Sequence, residues 1–297
     1  MVRKTKSEKI FTIFNILLLL FISLIMLYPF WNIMAKSFSS NKAILDGDVY
    51  LWPVDFSFFG YKEIFESSLV RTGLINSTII TVSGTLFSMA ITISVAYSLS
   101  REELVGRKFI FFIFFFTMLF HGGIISMFLV MKFLGLLNTL AVLILSPALN
   151  IFYMIIMRSY FEQVPKELID SATIDGCNEF QTLIRIILPV SKPVLATIAL
   201  FYAVDYWNIF REAIIFITDS NKYTIQLVVK QLVYASAFAE PESLANYGGG
   251  SNFSLQEYGS ETLKMAAVFI GTLPILCIYP FLQKYFAKGV LLGAIKG

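Results

Sequence analysis

The sequence predicts an all-α membrane protein, with six transmembrane helices in a single domain over residues 1–297 and both termini cytoplasmic. Composition, charge-free runs and the distribution of cations carry that expectation. Of 297 residues, 57% are hydrophobic and 14% charged, with mean hydropathy +0.74. A soluble domain carries roughly 45–50% apolar and about 25% charged residues, so this apolar excess has to be buried in a bilayer rather than in one core.

The spans follow from the gaps between charges, because a helix needs about 20 apolar residues to cross the hydrocarbon layer. There are 26 uncharged residues between Lys9 and Lys36, 29 between Arg71 and Arg101, 23 between Lys108 and Lys132, and 25 between Lys132 and Arg158. A fifth span is interrupted by Asp205, Arg211 and Glu212, and a sixth occupies the 19 uncharged residues between Lys264 and Lys284. The expected spans are residues 10–35, 72–99, 109–131, 136–157, 193–218 and 264–283. The first is read as a retained helix and not a signal peptide, because bulky Trp31 and Phe38 stand where a cleavage site needs small residues.

Orientation follows the Lys and Arg count. With the N-terminus inside, the inner segments hold 14 of them and the outer segments 8, with Arg211 inside a span. Two outer segments are long, about 36–71 and 219–261, and the second carries the flexible Gly248, Gly249, Gly250, Ser251 stretch. A net charge of +3 is too weak and too evenly spread to indicate nucleic acid. Two cysteines, Cys177 and Cys277, and one histidine, His121, are too few for a zinc or iron–sulfur ligand set built from His and Cys.

The inner segment 159–192 is the most informative. Pro165 is placed to open a short helix with Leu168, Ile169 and Ala172 on one face, and Gly176 to end it. Asn178 is an N-cap with Gln181 three residues on, as in a capping box, and Phe180, Leu183, Ile184 and Ile187 follow before Pro189. This helix-turn-helix could rest on the membrane surface. Glu167, Asp170 and Asp175 would then face an anionic leaflet, so their charge fits a protein partner better.

Asp170, Ser171, Ala172, Gly176 and the run Ile186, Ile187, Leu188, Pro189 resemble the EAA loop of ABC-importer permeases, with its spacing intact. The segment Pro274 to Gly297 is similar to the C-terminal end of maltose-importer-type carbohydrate permeases, especially the branch handling complex or acidic oligosaccharides. Asp170 stands where that family usually has Glu, and Ser171 where it has Ala. The resemblance implies a type I ABC-importer permease fold, a loop docking into an ATPase groove through Glu167, Asp170, Ala172 and Gly176, a second permease subunit, two ATPase subunits and an extracellular substrate-binding protein. No cofactor is implied in this chain, and ATP would be bound by the ATPase partners. The sequence has no Walker A phosphate loop of its own.

In the fifth span, Asp205 is roughly 18 Å above Pro193 at 1.5 Å per residue, near the membrane midplane. Tyr202, Asp205, Tyr206, Trp207, Asn208, Arg211 and Glu212 are therefore candidates for an oligosaccharide path, since aromatic faces stack on sugars while amides and acids bind hydroxyls. An ion pair with an interfacial aromatic belt is the plainer reading. On a continuous helix Asp205, Asn208 and Glu212 share one face, and Arg211 has no acid at i±3 or i±4. Its charge is then open to a partner helix or to a ligand carboxylate, which together with the resemblance to the acidic-oligosaccharide branch favours an acidic, uronate-containing sugar. His121, beside Gly122 and Gly123, either bonds a neighbouring helix or touches substrate. The rival function is an ion-gradient-driven secondary transporter coupled at Asp205, Arg211 and Glu212. An intramembrane hydrolase lacks its motif, so no enzymatic activity is expected.

Overall fold

The structure, a computed structural model, describes residues 6–120, 122–237 and 261–294, with side chains over 7–120, 122–233 and 261–278. All regular elements among these are helical: α1 (Lys6–Ser37), α2 (Asn41–Leu45), α3 (Phe59–Glu66), α4 (Ser68–Ser100), α5 (Arg107–Leu119), α6 (Gly123–Phe133), α7 (Leu140–Leu145), α8 (Ile151–Phe161), α9 (Lys166–Ile174), α10 (Glu179–Thr182), a π turn (Leu183–Ile187), α11 (Leu188–Val190), α12 (Lys192–Trp207), α13 (Arg211–Phe216), a 3-10 turn (Ser220–Lys222), α14 (Ile225–Ala237) and α15 (Glu261–Ala294). His121 and the Gly248–Ser251 stretch lie outside the described residues.

The chain divides into two compact units, Met1–Ser68 with Val229–Leu273, and Leu69–Val228 with Pro274–Gly297. In the first, the segment after α2 folds back along α1, where Trp31 Nε1 donates to the Leu51 carbonyl at 2.6 Å and Asn32 Nδ2 to that of Tyr50 at 2.7 Å. The start of α15 is tied to the same region, with Glu261 N–H donating to Asn41 Oδ1 at 2.8 Å and Thr262 Oγ1 to the Ser39 carbonyl at 3.1 Å.

The second unit is organised on α4. Among its buried positions a mostly small set recurs every three or four residues: Gly73, Ser77, Ile80, Gly84, Ser88, Thr92 and Ala96. Small side chains let a neighbouring backbone approach closely, which is how helices associate where lipid offers no hydrophobic drive.

Three described helices are long and apolar enough to cross a bilayer, Ser7–Ser37, Ser68–Ser100 and Glu261–Ile278, and two bent pairs raise the count to five. The expected continuous helices over 109–131, 136–157 and 193–218 are each broken. The break between α5 and α6 falls at Gly122, the N-cap of α6, and at its left-handed first residue Gly123, at φ +79°. Left-handed Gly135 and Asn138 delay the fourth span until Leu140. Pro147, which lacks an N–H, stands in the gap between α7 and α8, and the Asn150 side chain caps α8 by accepting from Phe152 N and Tyr153 N. The fifth span breaks at 208–210, where no Gly or Pro warned of it. There the Ile209 carbonyl accepts from Thr224 Oγ1 at 3.0 Å, a tertiary partner in place of a helical one.

Candidate coupling loop and polar core

The loop 159–192 has the local structure that its residues dictate. Helix α9 ends with Cys177 N–H donating to the Ala172 carbonyl at 2.9 Å and Gly176 N–H to that of Thr173 at 3.1 Å, the pair of bonds of a Schellman cap. Such a cap needs a left-handed residue, and Gly176 has φ +79°. Asn178 and Gln181 then form the reciprocal capping box that starts α10.

Of the residues expected to meet a partner, Glu167, Asp170 and Gly176 are exposed. Ala172 is not: it is buried against the body of the unit, so its small side chain acts as a spacer under α9 and not as a contact. The expected single apolar stripe also divides. Leu183 and Ile187 are buried, whereas Ile174 and Phe180, flanking the turn, are 86% and 69% exposed. Sequence reasoning missed Ile174 as a surface residue. Its position just before an exposed glycine turn was the available signal.

A charged lattice, also missed, braces the loop. Arg158 donates to Glu162 at 2.8 Å through Nη2 and to the Leu99 carbonyl at 3.0 Å through Nε, with its guanidinium 4.1 Å from the Phe111 ring centroid. Arg107 reaches the Ser100 carbonyl at 3.2 Å and lies 3.8 Å from Glu162. Lys166 pairs with Glu102, which holds the Glu102 carboxyl below its ordinary value and raises the Lys166 ammonium. Glu179 accepts from Tyr97 Oη at 2.5 Å and from Arg101 at 3.3 Å. Arg101, Glu102, Arg107, Arg158, Glu162 and Lys166 line a cavity of about 390 Å³ beside α9. Arg158 and Glu162 at i, i+4 were legible as a pair. The partners across 60 to 80 residues were not.

The polar cluster of the fifth span separates into two sets. Tyr202 and Tyr206, each 1% exposed, point into the unit. The Tyr202 hydroxyl pairs with Thr92 Oγ1 at 2.7 Å and accepts from Asn150 N–H at 3.0 Å. The Tyr206 hydroxyl pairs with Ser88 Oγ at 2.8 Å and donates to the Ile144 carbonyl at 2.8 Å. The two tyrosines therefore satisfy backbone groups around the α7–α8 break, a requirement for irregular backbone at membrane depth. With buried Trp207, they pack as scaffold within the unit in this conformation.

Asp205 and Asn208 are exposed, with Asp205 accepting from Tyr153 Oη at 2.8 Å. Because the helix stops at Trp207, the predicted common face of Asp205, Asn208 and Glu212 does not form. Arg211 opens a new helix with its side chain 70% exposed, and its Nε and Nη2 donate to Glu212 Oε1 at 3.2 and 2.7 Å. The expectation that the Arg211 charge stands open to a partner helix or a ligand is thus qualified, because within the first turn of α13 the guanidinium reaches its sequence neighbour Glu212. Beyond α13, left-handed Asn138 accepts through Oδ1 from the N–H groups of Thr218 and Asp219, fixing the segment's C-terminal end.

Comparison with known proteins decides what this arrangement belongs to. A family model described as "Binding-protein-dependent transport system inner membrane component" matches residues 88–292. The chain belongs to this family. Among its relatives, the polygalacturonan/rhamnogalacturonan transport system permease protein YtcP of Bacillus subtilis (strain 168) is 42% identical over 94% of this chain and 96% of its own length. Protein LplC of the same organism is 41% identical over 99% of this chain and 97% of its own length. A solved bacterial ABC transporter involved in the import of the acidic polysaccharide alginate has a chain that superposes with TM-score 0.85 at 33% identity, covering 96% of this chain and 100% of that one.

The protein is therefore an ABC-importer permease of the inner membrane, with the all-helical type I fold and no enzymatic role. Membership sets aside the ion-gradient transporter. The family match takes in the permease's loop 159–192 and its polar fifth segment, while α1 to α3 precede it.

Proposed function

We propose that this permease imports an acidic, uronate-containing oligosaccharide through a path shared with a second permease subunit. In this reading six crossings, over 10–35, 72–99, 109–131, 136–157, 193–218 and 264–283, form one membrane-embedded domain with both termini cytoplasmic; the third is the bent pair α5 and α6, the fourth is built from α7 and α8, and the fifth from α12 and α13. The inward count of Lys and Arg supports this orientation.

Residues 159–192 are the coupling loop. Glu167, Asp170 and the Gly176 turn face a groove on one of two ATPase subunits, which bind the ATP, and an extracellular binding protein delivers the sugar. The braced exposure of these acids, with apolar Ile174 and Phe180 beside them, supports such a docking surface. Rigid docking passes the closure of the ATPase dimer to the helices as a push.

For the sugar, the exposed Asp205, Asn208 and Arg211, with the half-buried Glu212, supply donors and acceptors, and buried Tyr202, Tyr206 and Trp207 hold them in place. His121 is retained as a member of the path from its sequence position. Acidity of the substrate rests on the exposed Arg211 guanidinium together with the relatives, whose substrates are named as polygalacturonan and as an acidic polysaccharide. The test is ATP-driven uptake by the reconstituted complex of a galacturonan oligosaccharide against a neutral malto-oligosaccharide of equal length. Preference for the neutral sugar overturns the acidic assignment.

A further inference from the structure

The charged lattice under the coupling loop has a direction. The Glu179 carboxylate, at the first position of α10, is held on both oxygens by the last turns of α4 and the residue that follows it: Oε2 by Tyr97 Oη at 2.5 Å and Oε1 by Arg101 Nη2 at 3.3 Å. Tyr97 is buried, and its ring packs edge-on to Phe161 at 6.5 Å, so the hydroxyl is not free to follow a moving loop. Glu102 adds an exposed pair with Lys166, the first residue of α9. Both loop helices are thereby fastened to the cytoplasmic end of α4 and to the turn beyond it. About five residues up α4, Thr92 bonds Tyr202, and Ser88 bonds Tyr206, both on α12.

We infer that Tyr97 and Arg101 are positioning residues for transport: by gripping Glu179 they carry movement of the coupling loop into α4, and through Thr92 and Ser88 into α12. Loop motion then enters the helices at three points, the covalent junctions with α8 and with α12 and this lateral strut. The covalent route into α12 turns through the bend of 87° between α10–α11 and α12. The strut bypasses it. Of its bonds, the Tyr97–Glu179 contact carries most, since its donor is buried. The Glu102–Lys166 pair is exposed on both sides, where ion pairs contribute little.

This inference rests on the reading of 159–192 as the coupling loop, and the test separates the two. The complete complex is reconstituted in vesicles, and sugar imported per ATP hydrolysed is measured for Tyr97→Phe, Glu179→Gln, their double variant, and Asp170→Lys. Tyr97→Phe and Glu179→Gln are each expected to lower that ratio at least tenfold while the complex assembles in normal yield and still hydrolyses ATP. The double variant should lose no more than the worse single one, because both remove the same link. A drop in assembly yield with an unchanged ratio in the assembled complexes makes the contact merely structural and overturns the inference. If Asp170→Lys uncouples but Tyr97→Phe and Glu179→Gln do not, the strut alone fails. If Asp170→Lys imports normally, the coupling-loop reading fails and the strut with it.

Discussion

Gly84→Ala tests how tightly the polar core is built. A Cβ at Gly84 would lie 2.6 Å from two ring carbons of Tyr206 and 2.8 Å from a third. Carbon atoms in contact prefer about 3.5–4.0 Å, so ring and helix must part by roughly 1 Å. The ring has nowhere to go, because Tyr206 is buried and its hydroxyl is bonded to both Ser88 and the Ile144 carbonyl. Either the overpacking strain of about 1–3 kcal/mol is retained, or α4 and α12 separate and lose hydrogen bonds worth about 0.6 kcal/mol each inside a membrane. By both routes the expected loss is about 1–3 kcal/mol. The assay is the thermal midpoint of the detergent-purified complex, followed by size-exclusion fluorescence, together with ATP-driven uptake. Gly84→Ala should lower both, and the added change Tyr206→Leu, which removes the ring atoms in the way, should recover part of the thermal midpoint. Wild-type stability and uptake in Gly84→Ala would refute the packing argument.

Asp170→Lys should insert and fold normally, since the side chain is exposed, while ATP-driven uptake is lost through repulsion of several kcal/mol from a basic groove; co-purification of the ATPase checks the first part and vesicle uptake the second. Gly176→Val places a β-branched residue at φ +79°, a strain of about 1–2 kcal/mol that no neighbour causes, because the space around it is open. It should reduce the yield of assembled complex more than the amount inserted, as read by pull-down against membrane content. Arg211→Gln should weaken uptake of an acidic sugar by about tenfold or more while sparing basal ATP hydrolysis, and it should leave uptake of a neutral analogue unchanged. Equal uptake of the acidic sugar by wild type and variant would show that the guanidinium serves Glu212 alone.

Features that depend on near neighbours in the chain are legible in the sequence by itself. A long apolar run has to be a helix in lipid, whatever surrounds it, so α1, α4 and the start of α15 lie where the charge gaps put them. Gly176 as a left-handed turn and Asn178 with Gln181 as a capping box are equally readable, because each is completed within six residues. The same holds for the exposed acids Glu167 and Asp170 of α9.

Tertiary structure decided everything whose partner is distant in sequence. Tyr202 and Tyr206 carry the same hydroxyl whether they face a sugar or a neighbouring helix, and only the positions of Ser88, Thr92, Ile144 and Asn150 turn them inward. The break at 208–210 has no local breaker, since Thr224 supplies the alternative partner from 15 residues away. That break in turn undid the helical geometry from which Arg211 was expected to stand apart from Glu212. Residues 97–103 read as the end of a span and a count of charges, and folding made them the brace of the coupling loop, because a carboxylate such as Glu179 settles on whichever donors the packed helices bring within reach.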